Sequence, residues 1–319
     1  MYKPGGPIID ALTRIQNNQY VLPAIQREFV WQPEQIAKLF DSLMQDYPIG
    51  TFLFWNVEAV NSHKFKFYGF VRDYHKRDSP HCPDLGLLPN QTLTAILDGQ
   101  QRLTALNIGL RGSMAMKVPY KWWSSPDAFP KCFLYLDLLA KGDAEYEDFK
   151  YRFKFLEPSK TKDTSDEIWF KVSDVLNLKA GPSMLKWITD RHPNLDNDRL
   201  NLAFEVLAKL HETVHIKPLV HYYEETSQDI EKVLNIFIRL NSGGTVLSYS
   251  DLLLSVAVAQ WSKLDARQEI HNLVDEINGI RDGFNFSKDF VLKAGLMLAD
   301  ISSVGFKVEN FNHENMQTL

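Results

Sequence analysis

The sequence is poor in cysteine and has no long apolar run. Its two cysteines, Cys82 and Cys132, are too few for a disulfide framework, so we expect a reducing, cytoplasmic location. No stretch approaches the roughly 20 apolar residues that a membrane span needs, and no signal-like segment precedes the first polar residues. The sequence therefore predicts a protein without a membrane role.

Net positive charge is also missing. The formal charge is −5, with 45% apolar and 24% charged residues, which is ordinary globular composition without low-complexity segments or internal repeats. Broad electrostatic adhesion to nucleic acid is therefore not expected, and any DNA contact must come from a local basic region. Residues 64–77 interleave basic and aromatic side chains as base-stacking surfaces do, but the same alternation fits a strand with one wet face.

Familiar metal and nucleotide patterns are absent too. There is no GxxxxGK[ST] phosphate loop. His81-Cys82-Pro83 has no second ligand pair at zinc spacing elsewhere in the sequence, which favours a structural use. His215 and His221, near Glu224, have an even separation that predicts packing on one face of a strand rather than a metal site.

The most informative stretch is Asp98-Gly99-Gln100-Gln101-Arg102. It follows an apolar strand pattern at 92–97 and precedes leucines at helical spacing, so it lies at a strand-to-helix junction. The unpaired N–H groups of a helix start, next to an arginine, attract phosphate. An alternative is purely structural: Asp98 caps the helix and Gln101 closes a capping box.

A second polar cluster interrupts the apolar run at 22–31. Gln26 and Arg27 lie in a predicted loop before Trp31 and a helix that begins near Pro33. Glutamine can read an adenine edge and arginine can bind phosphate or guanine. A surface ion pair between Arg27 and a nearby glutamate is equally compatible with the spacing.

A third cluster ends an amphipathic helix with Arg239, Asn241, Gly243 and Gly244. Arg239 falls opposite the apolar stripe of that helix, where it can meet a ligand. The paired glycines permit close approach by an anion, although glycine is also the usual residue that ends a helix.

These elements predict an α+β fold in which residues 1–172 form a mixed β part and residues 173–319 a mainly helical part. Strands are predicted at 20–22, 51–57, 64–71, 92–97, 131–136, 151–155, 168–172 and 214–222. Helices are predicted at 8–18, 33–46, 100–111, 198–212, 228–241, 249–263, 266–280 and 287–300. Polar loops are predicted at 73–90, 113–130 and 157–167.

Together the clusters resemble the N-terminal domain of GmrSD-type restriction endonucleases. The matching stretches are LPAIQREFVWQPEQIAKLFDSLMQDYPIGTFLFW, AILDGQQRLTAL, NIFIRLNSGGTVLSYSDLLLS and, more loosely, FNFSKDFVLKAGLMLAD. Relatives resemble ParB and sulfiredoxin around the DGQQR motif and serve bacterial defence against phage DNA. They usually continue into an HNH-type nuclease domain. No adjacent histidine pair for such a site occurs here, so we expect a fragment or truncated product.

The resemblance implies a DNA-sensing module that binds and hydrolyses a nucleoside triphosphate (NTP). It assigns hydrolysis to Asp98, Gln100, Gln101 and Arg102, and sensing of possibly modified phage DNA to Gln26 and Arg27. We add Trp31 to the sensing group. Phosphate binding is expected at Gly99, Thr104, Arg239, Asn241, Gly243 and Gly244, with Mg²⁺ on Asp98. A DNA-binding module without hydrolysis and a metal-dependent ParB-like nuclease remain alternatives.

Overall fold

A computed structural model describes residues 1–23, 28–62, 67–86, 91–140, 149–229, 266–281 and 283–299, and positions 232, 233, 236, 237 and 239. The fold is α+β, as predicted. Its strands are β1 (Tyr2–Gly6), β2 (Tyr20–Pro23), β3 (Phe52–Val57), β4 (Phe67–Tyr68), β5 (Asp73–His75), β6 (Leu93–Asp98), β7 (Ser113–Ala115), β8 (Phe133–Asp137), β9 (Phe153–Leu156), β10 (Trp169–Lys171) and β11 (Val220–Glu225).

The described helices are α1 (Ile8–Gln16), α2 (Pro33–Met44), α3 (Ala59–Ser62), α4 (Gln100–Arg111), α5 (Pro182–Arg191), α6 (Asn197–His215), α7 (Ala266–Gly279) and α8 (Lys288–Leu298). Helix α2 begins with Pro33 at its first position and a capping box between Gln32 and Gln35, which satisfies the first backbone N–H groups. None of the helices in these described ranges is both long and apolar enough to cross a membrane.

A six-stranded mixed sheet organises the described residues, in the order β1-β11-β3-β6-β2-β4. Strand β6 pairs with β3 in the antiparallel direction and with β2 in the parallel direction. The carboxyl end of β6, at Asp98, therefore lies beside the start of β3, where Leu53 is its register partner. This placement brings the loop before β3 to the strand-to-helix junction.

Apolar side chains cover both faces of this sheet because they alternate along its strands. Phe52, Phe54 and Ile96 join the larger core, which includes the buried faces of α1, α2, α4 and α6. Leu53 and Trp55 point to the other face and join a smaller cluster, which also contains Leu93, Ala95 and Leu97 of β6 and Val233 and Phe237. Strand β6 is thus covered on both faces up to Leu97.

The smaller sheets are β10-β8-β9, which is antiparallel, and β5-β7, which is parallel. Strand β11 and helix α6 come from the second of the predicted parts, yet β11 lies inside the six-stranded sheet and α6 packs in the larger core. The division at residue 172 stays a prediction about sequence organisation.

Most predicted elements lie close to the observed ones, and the helix at 100–111 has the expected bounds. The strand predicted at 214–222 is wrong in its first half, because Val214 and His215 end helix α6, which buries Leu210 and Val214 at helical spacing. Strands β1, β5 and β7 and helix α5 were not predicted. Strand β1, YKPGG, has glycine and proline that disfavour a strand assignment. The predicted helix at 249–263 lies outside the described residues.

Helix α4 packs so closely against its neighbours that there is no room for a side chain at Gly109. A Cβ atom on Gly109 would lie 2.6 Å from Cε2 of Phe40 and 3.0 Å from Cδ2 of Leu134. We expect Gly109→Ala to lower the free energy of unfolding by about 1–3 kcal/mol through overpacking, despite the better helix propensity of alanine. Gly279→Ala is the matched control, since no atom of the described residues lies within 4 Å of its added Cβ. Urea denaturation that shows equal effects for the two variants contradicts this packing.

Candidate functional site

The strand-to-helix junction at Asp98 depends on a left-handed glycine. Gly99 has φ +90° and forms the N-cap of α4 without any side-chain cap hydrogen bond. A Cβ atom there would lie 2.1 Å from Cδ1 of Phe52, so both the backbone angle and the close approach require glycine. The capping-box alternative for Asp98 and Gln101 is therefore wrong, because Gly99 occupies the cap position.

The guanidinium of Arg102 donates hydrogen bonds to other groups of the protein. Nη1 donates to the carbonyl of Ile49, and Nη2 donates to the carbonyl of Thr51 at 3.1 Å and to Oδ2 of Asp98 at 3.1 Å. The guanidinium carbon lies 4.4 Å from the centre of the Phe52 ring. Burial lowers the pKa of Arg102 from its ordinary value, and the neighbouring Asp98 charge opposes that shift. These contacts make Arg102 a positioning residue for Asp98.

The backbone of the loop before β3, at residues 49–51, leaves room for the guanidinium of Arg102. Gly50 has φ +83°, and a Cβ atom there would lie 2.9 Å from Nη1 of Arg102. A side chain at this position would therefore displace the guanidinium from the carbonyls on either side. The sequence does not predict that the 49–51 loop belongs to the site. The loop contributes backbone carbonyls, which no pattern of side chains reveals.

Asp98 keeps a large part of its carboxylate accessible. Its side chain is 47% exposed, whereas that of Arg102 is 16% exposed. The carboxylate thus faces solvent on one side and is held in place by the arginine on the other. A hydrated divalent ion can reach such a group, since Mg²⁺ typically uses one or two carboxylates and retains water.

Gln101 joins the DGQQR motif to the polar cluster at 22–31. Its Nε2 donates to the carbonyl of Glu28 at 2.9 Å, and its Oε1 accepts from the backbone N–H of Val30 at 3.0 Å. The side chain is 7% exposed, so these hydrogen bonds are shielded from water. The amide therefore fixes the chain immediately after Gln26 and Arg27 to the first turn of α4.

The other predicted site residues have different environments. Gln100 and Thr104 are buried in the first turns of α4, and Trp31 packs partly buried against the larger core. Arg239 is helical and exposed. The remaining predicted residues, Gln26, Arg27, Asn241, Gly243 and Gly244, lie outside the described residues. Their participation in a shared pocket stays a prediction.

The predicted histidine arrangement near β11 is wrong. His215 lies in helix α6, where its ring stacks on His211 at 4.3 Å and its Nε2 lies 2.9 Å from the carbonyl of Val175. His221 lies on β11, and its Nδ1 accepts from the backbone N–H of Gly5 at 2.9 Å. The two histidines therefore do not share a sheet face, because the helix continues to residue 215.

The described arginines of the basic stretch 64–77 form local ion pairs. Arg72 contacts Asp73 at 2.7 Å, and Arg77 contacts Asp78 at 2.7 Å. These pairs are exposed, so a phosphate can compete for the arginines, but their charge is partly balanced in the free protein. A role of this stretch in DNA contact stays a prediction.

Comparison with known proteins defines the class to which this architecture belongs. Residues 8–257 match the family described as GmrSD restriction endonuclease, N-terminal domain, so the chain belongs to that family. This confirms the resemblance found in the sequence. The family is named for restriction endonucleases, and its description places this kind of domain at their N-terminal end.

The chain is also similar to an uncharacterized protein of Methanocaldococcus jannaschii, with 26% identity over 256 residues. The matched region covers 78% of this chain and 40% of that relative. The matched region thus spans about two fifths of the length of that relative.

The Gln101 contacts predict a measurable cost when the amide is removed. We expect Gln101→Leu to lower the free energy of unfolding by about 1–3 kcal/mol, because the carbonyl of Glu28 and the N–H of Val30 lose their partner. We also expect faster proteolysis within residues 24–31. Gln16→Leu, on an exposed position of α1, is the control and should stay within about 0.5 kcal/mol of the parent. Equal stability of both variants contradicts the role assigned to Gln101.

Proposed function

We propose that this chain is the NTP-binding and NTP-hydrolysing DNA-sensing module of an anti-phage restriction system, and that it controls a nuclease domain or subunit of the HNH type. The observation that carries the proposal is a pair of hydrogen bonds, in which Gln101 donates to the carbonyl of Glu28 and accepts from the N–H of Val30. They connect the segment proposed to sense DNA with the segment proposed to handle the nucleotide.

The nucleotide phosphates are proposed to lie over the first turn of α4. The backbone N–H groups around Gly99 and the helix dipole favour an anion. Gln100 and Thr104 belong to the same turns and are assigned to phosphate binding. The positive charge that balances the phosphates is assigned to Arg239, and hydrogen bonds to the phosphate oxygens are assigned to Asn241, Gly243 and Gly244 in the segment that follows.

Asp98 is the proposed catalytic carboxylate. Its exposed side chain, held at 3.1 Å by Arg102, fits one carboxylate ligand of Mg²⁺. When bound, Mg²⁺ neutralises charge on the phosphate oxygens. Asp98 itself orients the attacking water, while Arg102 keeps the carboxylate in a fixed position. Gln26, Arg27 and Trp31 are assigned to contact with foreign or modified DNA.

The described structure gives less support to an autonomous nuclease. Metal-dependent nucleases commonly cluster several ligands around their ions. In the described ranges, the one group of three histidine, cysteine or acidic side chains with metal-ligand spacing does not include Asp98. An NTPase that shares Mg²⁺ with its substrate's phosphates needs no such cluster.

Nucleotide turnover tests the proposal. We expect the purified chain to release phosphate from at least one of GTP, ATP and CTP in the presence of Mg²⁺. Asp98→Asn should reduce the rate by about 100-fold or more, because the group that orients the water is lost. Its fold should persist, since Arg102 keeps its contacts with Ile49 and Thr51.

Asp166→Asn provides the control, since this carboxylate is exposed and pairs with Arg199 instead of Arg102. Turnover that is equal in Asp98→Asn and the parent contradicts the assignment. Salt-sensitive DNA binding without any nucleotide affinity supports the binding-module alternative instead. Plasmid cleavage with Mg²⁺ or Mn²⁺ alone supports the nuclease alternative.

A further inference from the structure

Three side chains from distant segments converge beside the Gln101-bound loop. Glu28 lies in that loop, His81 lies between β5 and β6, and His271 lies on helix α7. Oε1 of Glu28 is 3.5 Å from Nε2 of His271 and 3.8 Å from Nδ1 of His81, and all three ligand atoms lie within 4.8 Å of one another. The ring centroids of the two histidines are 4.5 Å apart.

These separations suit a shared cation better than direct hydrogen bonds. Hydrogen bonds between nitrogen and oxygen are normally about 2.7–3.2 Å long. A tetrahedral zinc ion with ligand bonds of about 2.0–2.2 Å places its ligand atoms about 3.3–3.6 Å apart. Among the described residues, both ring nitrogens of His81 are inaccessible to water and have no hydrogen-bond partner. A cation would satisfy the one that faces Glu28.

The surrounding contacts resemble the outer ligands of a metal site. Oε2 of Glu28 accepts from the backbone N–H of Cys82 at 2.9 Å, which leaves Oε1 directed at the histidines. On the far side of His81, Nε2 lies 3.6 Å from Oδ2 of Asp275. A carboxylate behind a ligating histidine sets its tautomer and orientation, and a hydrogen-bonded carboxylate is the usual form of an acidic ligand.

We propose that Glu28, His81 and His271 form a binding site for a divalent transition-metal ion, best matched by Zn²⁺. Two imidazoles and one carboxylate are ligands that Zn²⁺ accepts, whereas Mg²⁺ and Ca²⁺ prefer oxygen alone. Three protein ligands leave the fourth tetrahedral position to water. Asp275, with its carboxylate 3.6 Å from Nε2 of His81, would favour the tautomer that carries its proton on Nε2 and leaves Nδ1 to the metal.

The ion would link helix α7 to the loop that contains Glu28, and Gln101 already binds the backbone of this loop. Glu28 contributes its carbonyl to Gln101 and its carboxylate to the metal site. His271 lies beyond residues 8–257, the part that matches the family. The site therefore combines a family segment with a helix outside the matched region, and it does not depend on nucleotide hydrolysis.

Metal titration of the full chain tests the site. After chelator treatment and removal of the chelator, we expect one Zn²⁺ per chain in a competition assay against a chromophoric chelator. Co²⁺ should give the visible absorption of a four-coordinate site. His81→Gln, His271→Gln and Glu28→Gln should each weaken Zn²⁺ binding by about 100-fold or more, and Asp275→Asn by about tenfold.

His211→Gln is the matched control, because His211 lies on α6 in a stacked pair with His215. It should retain the parent affinity. Circular dichroism checks that each variant is folded, and Glu28→Gln and His81→Gln decide the result if His271→Gln unfolds. Absence of stoichiometric Zn²⁺ binding to the parent chain overturns the proposal and leaves an ion-pair cluster. Unchanged affinity in folded Glu28→Gln and His81→Gln also overturns it.

Discussion

The shielded amide of Gln101 is the constraint on which the candidate site depends. It bonds to the backbone of Glu28 and Val30, so it fixes the direction of the chain after Gln26 and Arg27 without relying on those side chains. Backbone groups held in this way are costly to release, because a shielded donor or acceptor loses its partner. The first turn of α4 therefore holds the DGQQR motif against residues 28–30 of the 22–31 cluster.

The next residue, Arg102, also connects the first turn of α4 to a separate segment of the chain. Its guanidinium connects the 49–51 loop, the Phe52 ring and the carboxylate of Asp98. In the sequence, an arginine at a helix start indicates phosphate binding. In the structure its described contacts are internal, which supports a role in holding Asp98 toward solvent. The proposed chemistry then depends on Asp98 and on cationic groups from other segments.

Local features of the site could be predicted from the sequence. Leu103, Leu106 and Leu110 recur at helical spacing, and the apolar run before Asp98 predicts β6, so the junction between them was placed correctly. The mixed helices and strands also predicted the α+β class. These inferences succeed because they depend on neighbouring residues and on the period of burial along one element.

Long-range contacts could not be predicted in the same way. The carbonyls of Ile49 and Thr51 carry no sequence signal, although they determine what Arg102 does. The capping-box alternative failed because Gly99, with its positive φ, occupies the N-cap. His81 and His271 meet only through tertiary folding, so a search for ligand pairs at zinc spacing had no means to associate them.

Hydrogen–deuterium exchange at residues 28–31, with and without a non-hydrolysable NTP, tests the central claim most directly. We expect nucleotide binding to change the exchange of this segment in the parent chain, and we expect Gln101→Leu to abolish the change while nucleotide still binds. An identical change in both proteins, or none in the nucleotide-bound parent, would contradict a connection through Gln101.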